Sequence, residues 1–202
     1  MTQGLLLTDD EIVAVAMRWG RDWKASLPTL ALDDDAELIR ASARGHRSLF
    51  VRGLLGGPNN EELSNQVEQA LGSAVGTLPE LIGYAANSED LRAATGLRFA
   101  LFSTDAGEKV LVVTLPNGIN EISRVSPADA QDFISTFAAG PGKVGAGSPA
   151  VVLVSPKTED STQFAVVTSE GTTSGSGPLS SLDLASGAPT PEVPAFVLAG
   201  DC

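Results

Sequence analysis

Residues 97–127 read LRFALFSTDAGEKVLVVTLPNGINEISRVSP, and they decide the fold class. Two apolar runs, 97–103 and 109–115, flank the turn-forming stretch TDAGE. A third run, 119–125, follows the turn Pro116-Asn117-Gly118. Three short apolar runs joined by Gly-bearing turns predict an antiparallel meander. Ser126-Pro127 then opens a helix, with Ser as cap and Pro in the first turn. Ala130, Phe133, Ile134 and Phe137 make one face of it.

Downstream, the stretch AAGPGKVGAGSP breaks that helix. AVVLVSP and TQFAVVTS flank KTEDS and predict a second hairpin. GTTSGSG at 171–177 reads as a flexible polar loop. PTPEVPAFVLAG at 189–200 offers a short edge strand despite its prolines.

Upstream, ELIGYAAN reads as a strand, and three helices are expected ahead of it. Thr8 to Glu11, TDDE, has the form of a capping box. Ile12, Val15, Ala16 and Trp19 follow at helical spacing, and Gly20 ends that helix. Pro28 lies in the connection. Asp33, Asp34 and Asp35 open a second helix, where carboxylates satisfy free amides and favour the dipole. Ala36, Ile39, Ala43, His46 and Phe50 recur in steps of three and four, which predicts the core-facing stripe. Gly53 supplies the stop. A third helix is expected to begin near Asn60, with Leu63, Val67, Ala70 and Leu71 inward and Gly72 at its end.

The expected fold is therefore α+β: N-terminal helices packed on an antiparallel, meander-type β-sheet, with one further helix and a C-terminal hairpin. The 202 residues are read as one domain, with a helical part at 1–75 and a sheet-rich part at 76–202. Apolar residues make up 43% of the chain, enough for a sizeable core, and aromatics only 5%, so that core is aliphatic and alanine-rich.

Composition also limits function. The formal net charge of -12 repels nucleic acid unless a basic patch is strongly segregated. Cys202 is the one cysteine, so no intramolecular disulfide is expected, which fits a reducing cytoplasm. The N-terminal stretch lacks a basic region and its apolar run is only 5–7, so no secretory signal is expected, nor any membrane span.

Few motifs carry chemistry. His46 is the only histidine, and it has no histidine or cysteine companion for catalysis or metal binding. Its place in the apolar stripe predicts a packed side chain with a structural role. Arg40, Arg44 and Arg47 share one helix face, either a phosphate-facing stripe or a solvated flank paired with acids such as those at 33–37. GPGKVG at 140–145 satisfies the letters of a dinucleotide fingerprint, but it follows a helix and precedes a strand, the reverse of what that site requires. No G-x-S-x-G, H-E-x-x-H or paired C-x-x-C occurs. No catalytic, cofactor-binding or metal-ligating residue is singled out.

The order of words along the chain resembles one family. LTDDEIVAVAMRWG is followed by LPTLAL, by a long helix ending in RGLL, and by NEELSNQVEQAL. The strands LRFALFSTDAGEKVLVVTLPNGINEISRVSPADAQDFI come next. Over residues 5–137 this is similar to the EspG family of type VII (ESX) secretion-associated proteins, or to a related actinobacterial family. The resemblance implies an α+β fold and a cytoplasmic, non-enzymatic adaptor or chaperone that binds a helical secretion substrate. It transfers no binding residue, because the shorter, Gly/Ser-rich second half does not align. The alternative reading is a winged-helix nucleic-acid-binding regulator using the helix that ends in RGLL. A hydrolase is the third. The expected partner is a protein, with no nucleic acid, no membrane and no cofactor, and the oligomeric state is left open. The long loops at 140–149 and 171–178 direct attention to the second half for the binding surface.

Overall fold

The computed structural model describes residues 4–57, 62–87, 90–140, 149–158, 161–169 and 171–177. Its elements are β1 (Leu5–Thr8), α1 (Asp9–Arg18), α2 (Asp35–Val51), β2 (Leu55–Gly56), β3 (Glu62–Leu63), α3 (Asn65–Leu71), β4 (Leu81–Asn87), β5 (Asp90–Ser103), β6 (Lys109–Thr114), β7 (Ile119–Val125), α4 (Pro127–Ala138), β8 (Pro149–Thr158), β9 (Ser161–Thr168) and β10 (Gly171–Gly177). The strands hydrogen-bond in the order β1-β7-β6-β5-β4-β8-β9-β10, with β2 and β3 forming a separate pair. The fold is α+β, and its large sheet is antiparallel.

The chain divides into two compact units, one of residues 1–78 with 102–124 and the other of 79–101 with 125–202. In the first, β1 pairs antiparallel with β7, Leu5 facing Ile122 and Leu7 facing Asn120. The run at 5–7 is thus a strand, which the sequence reading weighed only as a targeting signal. Leu5 and Leu7 are buried while Leu6 is exposed, the alternation a one-sided strand requires.

Thr8 ends β1 and caps α1. Its side chain accepts from the Glu11 amide, and the Glu11 carboxylate accepts from the Thr8 amide. The capping box is therefore complete. Ile12, Val15 and Ala16 are buried as expected, and Gly20 takes a positive φ just past the helix end. The α2 helix starts where the aspartates predict: Asp34 is its cap and accepts from the Ala36 and Glu37 amides.

Three readings change, and the first is the strand expected at 97–103, which begins at Asp90 as β5. The third helix was expected near Asn60. It begins at Asn65, where Ser64 caps it through the Val67 amide, because Leu63 is held in a short pairing with Leu55. Residues 58–61 lie outside the described residues. The GTTSGSG segment, expected to be a loop, is strand β10, paired along its whole length with β9. Gly175 sits opposite Phe164, and a Cβ there would meet the Phe164 ring 2.5 Å away. The ring covers the bare glycine, and Thr172, on the opposite face of the strand, is buried as well. A cross-strand aromatic thus supplies the packing that the Gly/Ser sequence lacks.

The second unit uses the same device again. Gly83 faces Phe99 across β4 and β5, and a Cβ on Gly83 would collide with the Phe99 ring. Phe99 then packs edge-on against Phe133 at 5.2 Å and Phe137 at 5.0 Å, both from α4. The α4 helix is capped by Ser126, with Pro127 in its first turn, as the sequence predicts. The hairpin of β8 and β9 also forms as expected. Residues 150–154 of β8 are buried without alternation, as a strand covered on both faces must be. The expected edge strand at 189–200 and the fingerprint-like residues 141–145 lie outside the described residues.

Loss of the Glu11 carboxylate tests the frame of the first unit directly. Glu11→Ala leaves the Thr8 amide and the Ser48 hydroxyl without their acceptor and unties Arg52, and is expected to cost at least about 2 kcal/mol in urea unfolding, since a donor left unsatisfied costs about 1–3 kcal/mol. A loss of under about 1 kcal/mol, the scale of a helix cap alone, would show that only the capping box matters.

Candidate surface on the second helix

The four residues of TDDE hold different parts of the first unit. Thr8 caps α1. Asp9 is buried: one carboxylate oxygen accepts from the Thr29 amide at 2.9 Å and the Thr29 hydroxyl at 2.7 Å, the other from Asn120 Nδ2 at 2.9 Å. Asn120 Oδ1 in turn accepts from the Thr114 hydroxyl at 2.7 Å. Asp10 takes the Arg44 guanidinium in a two-pronged pair at 2.7 and 2.8 Å. Glu11, with no exposed surface, accepts from Ser48 Oγ at 2.7 Å and from Arg52 Nη1 at 2.7 and 2.9 Å. Arg52 also donates to the Leu6 carbonyl.

Arg52 is the arginine of RGLL. That phrase closes α2 and anchors it to Glu11, while Leu54 and Leu55 behind it are buried.

These tethers fix which face of α2 turns inward. Ala41, Gly45 and Leu49 are the buried positions. A Cβ on Gly45 would collide with the Asp10 carbonyl, so glycine there lets the α1 backbone come close. The stripe Ala36, Ile39, Ala43, His46 and Phe50, expected to be the core face, is exposed instead. Ile39 is 62% exposed and Phe50 52%, against 1% for Leu49. His46, expected to be buried, faces solution. The inward face holds less apolar volume than the outward one. It wins because Asp10, Glu11, Arg44, Ser48 and Arg52 lock it in place, and because its small residues allow close helix packing.

The outward residues lie at steps of three, four, three and four. That is the a/d spacing of a helix seam, narrower than the stripe of an ordinary surface helix. From Ala36 to Phe50 it runs about 21 Å. Val51, 82% exposed, extends its apolar end.

The arginine face splits. Arg40 pairs with Glu37 and reaches Asp34, and Arg44 pairs with Asp10 and Glu37. Hydrogen bonds from Arg44 first, then Arg40, hold the Glu37 carboxyl below its ordinary value. The Asp10 and Glu37 carboxylates hold the Arg44 guanidinium firmly protonated. Arg47 makes no ion pair among the described residues. Of the three arginines, it alone keeps its charge for solution.

No cluster of three or more His, Cys, Asp or Glu able to hold a metal occurs among the described residues, and no described helix is long and apolar enough to cross a membrane. No protein-family model matches the chain, and a search of curated proteins finds no match. Of the two loops that drew attention in the second half, 141–148 lie outside the described residues, and 171–177 form β10. Sequence reading found the seam residues but assigned them to the core. It missed Glu11 and Arg52 as a pair because 41 residues separate them.

Two measurements check this face. Leu49→Ala should cost about 2–5 kcal/mol, whereas Phe50→Ala should stay within about 0.5 kcal/mol. Reversed costs would mean that the helix is turned the other way. For Glu37, a lowered folded-state pKa contributes stability above the unfolded-state value and loses it as pH falls through the folded one. Arg44→Gln is therefore expected to raise the Glu37 pKa in a carboxyl NMR titration, and to bring acid loosening of the α2 N-terminus to higher pH.

Proposed function

We propose that this protein is a non-enzymatic, cytoplasmic protein-binding adaptor, similar in role to EspG-type factors that hold helical secretion substrates. The observation that supports this reading is the apolar seam of α2. An isolated exposed leucine carries no meaning, but Ile39 and Phe50 line up with Ala36 and Ala43 along one helix, and Val51 is exposed next to Phe50 at its end. Exposing such a row to water is unfavourable by roughly 25 cal/mol per Å2 of apolar area. A protein surface that covers it removes that cost.

The winged-helix alternative would use the same helix to read DNA. Arg40 and Arg44 are already paired with Asp10, Asp34 and Glu37, and a net charge of -12 surrounds them. Only Arg47 remains for a phosphate, too few for the basic face such a reader needs.

The test is site-specific photo-crosslinking in the native cell. A photoreactive residue at Ala43 is expected to give one discrete protein adduct that Ile39→Asp abolishes, while one at Asp105, in the turn between β5 and β6, gives none. Adduct formation at Asp105 alone would place the binding surface elsewhere.

A further inference from the structure

The turn between β6 and β7 carries the pair Asn117-Gly118, and the fold treats its members oppositely. Asn117 is exposed, whereas Gly118 is buried against the start of α1. The Gly118 carbonyl accepts from the Asp9 amide at 2.9 Å and from Asn120 Nδ2 at 3.4 Å. The Gly118 amide donates to the Leu115 carbonyl at 3.0 Å. A Cβ at 118 would lie 2.7 Å from Thr29 Cγ2 and 2.9 Å from an Asp9 carboxylate oxygen. Asn117 Oδ1 accepts from the Ile119 amide at 3.3 Å, which folds the side-chain amide back over the peptide that follows it.

An asparagine followed by glycine is open to attack by the next backbone nitrogen, since no Cβ stands in the way. The Gly118 nitrogen bonds to Asn117 Cγ, and its proton passes through water to the side-chain nitrogen, which leaves as ammonia. Water then opens the five-membered imide at either carbonyl, giving aspartate or isoaspartate at 117. We propose that Asn117 is a site of this deamidation and that the joint on α1 gates it, so that the reaction runs when Gly118 leaves Asp9 and Thr29. The inference is independent of the protein-binding reading above.

The contacts at Gly118 close the gate in several ways. The attacking nitrogen must give up its proton, and in the closed joint the Leu115 carbonyl holds that proton. The nitrogen must also turn toward Cγ, but Gly118 is pinned at its carbonyl by Asp9 and Asn120 and walled in by Thr29. It gains negative charge as it attacks, and the Asp9 carboxylate beside it disfavours a like charge. A local opening of the turn removes all of these restraints without unfolding the rest of the unit. The isoaspartate product then fits the joint poorly. It lengthens the main chain by a methylene just ahead of Gly118 and so displaces the carbonyl that receives the Asp9 amide.

The test follows residue 117 of the full chain at mildly alkaline pH by peptide mass mapping, with isoaspartate methyltransferase labelling as a second readout. The samples are the native chain, the chain unfolded in guanidinium chloride, and Thr29→Ala in native buffer. Thr29→Ala removes both the wall at Gly118 and one donor to Asp9. The unfolded chain is expected to deamidate at 117 at least about tenfold faster than the native chain, which corresponds to an opening free energy of about 1.4 kcal/mol or more. Thr29→Ala, with circular dichroism unchanged, should fall between them. If that variant does not fold, the native sequence in guanidinium chloride below its unfolding transition takes its place, with the same intermediate rate expected. Chain already converted to isoaspartate should lose hydrogen-exchange protection at the Asp9 amide. Equal rates in the native and unfolded chains would overturn the gate, as would a loosened joint that reacts no faster than the native one. An Asn117 that stays intact in the unfolded chain would overturn the site itself.

Discussion

A buried carboxylate organises the first unit. Glu11 has no exposed surface, and its two oxygens take four hydrogen bonds, from Thr8, Ser48 and twice from Arg52. A charge withdrawn from water is tolerated only when its lone pairs are filled in this way. The same carboxylate thereby completes the cap of α1, ties down the last turn of α2 and, through Arg52, reaches the Leu6 carbonyl of β1. Three elements meet at one side chain. Its neighbour Asp9 extends the hold to Thr29 and to Asn120 of β7, and position 118 beside it takes glycine because its φ is positive and a Cβ there would crowd Thr29 and the Asp9 carboxylate.

This polar lock explains why the most apolar face of α2 is not the buried one. Hydrophobic periodicity assumes that the greatest apolar area turns inward. Here the ion pairs Asp10–Arg44 and Glu11–Arg52 are directional, and they can form only if Gly45 and Ala41 face α1. Rotating the helix to bury Ile39 and Phe50 would break both pairs and leave Glu11 buried and unmatched, a penalty of about 3–5 kcal/mol. It would also replace the Gly45 approach with bulk where the Asp10 carbonyl lies. Burying a few aliphatic side chains returns about 1.5–3 kcal/mol each, but the seam is only partly coverable by a neighbour held that close. The helix end signals, Asp34 and Gly53, were legible in the chain because caps act within a few residues. The facing was not, because it depends on Glu11, 41 residues from Arg52.

The same division between local and distant causes runs through the strands. The turns at 104–108 and 116–118 carry their own instructions: Gly107 and Gly118 both take positive φ. The runs between them alternate or stay apolar, so β6 and β7 were readable to within a residue. Strand β1 was hidden because three leucines next to a capping box give no turn on either side to mark a hairpin, and its partner lies far along the chain. Strand β10 was hidden for another reason. Its own residues have little preference for a strand. Phe164 on the neighbouring strand covers Gly175, as Phe99 covers Gly83. A Gly/Ser run is therefore a loop when read alone and a strand when read against its neighbour.

The lock on α2 also bears on what the surface can do. A helix whose inward face is held by directional ion pairs cannot roll to hide its outward seam when no partner is present. On the proposed adaptor reading, a partner would meet a prepared row of side chains with no ordering of the helix required, which lowers the entropic cost of association. Arg40 and Arg44, neutralised by Glu37, Asp34 and Asp10, stiffen the same helix and withdraw two charges from competition. What remains facing solution on α2 is one apolar row with Arg47 and Asp35 beside it, neither in an ion pair among the described residues. The polar contacts beneath the helix and the apolar row above it are thus linked, because the first hold the second in water.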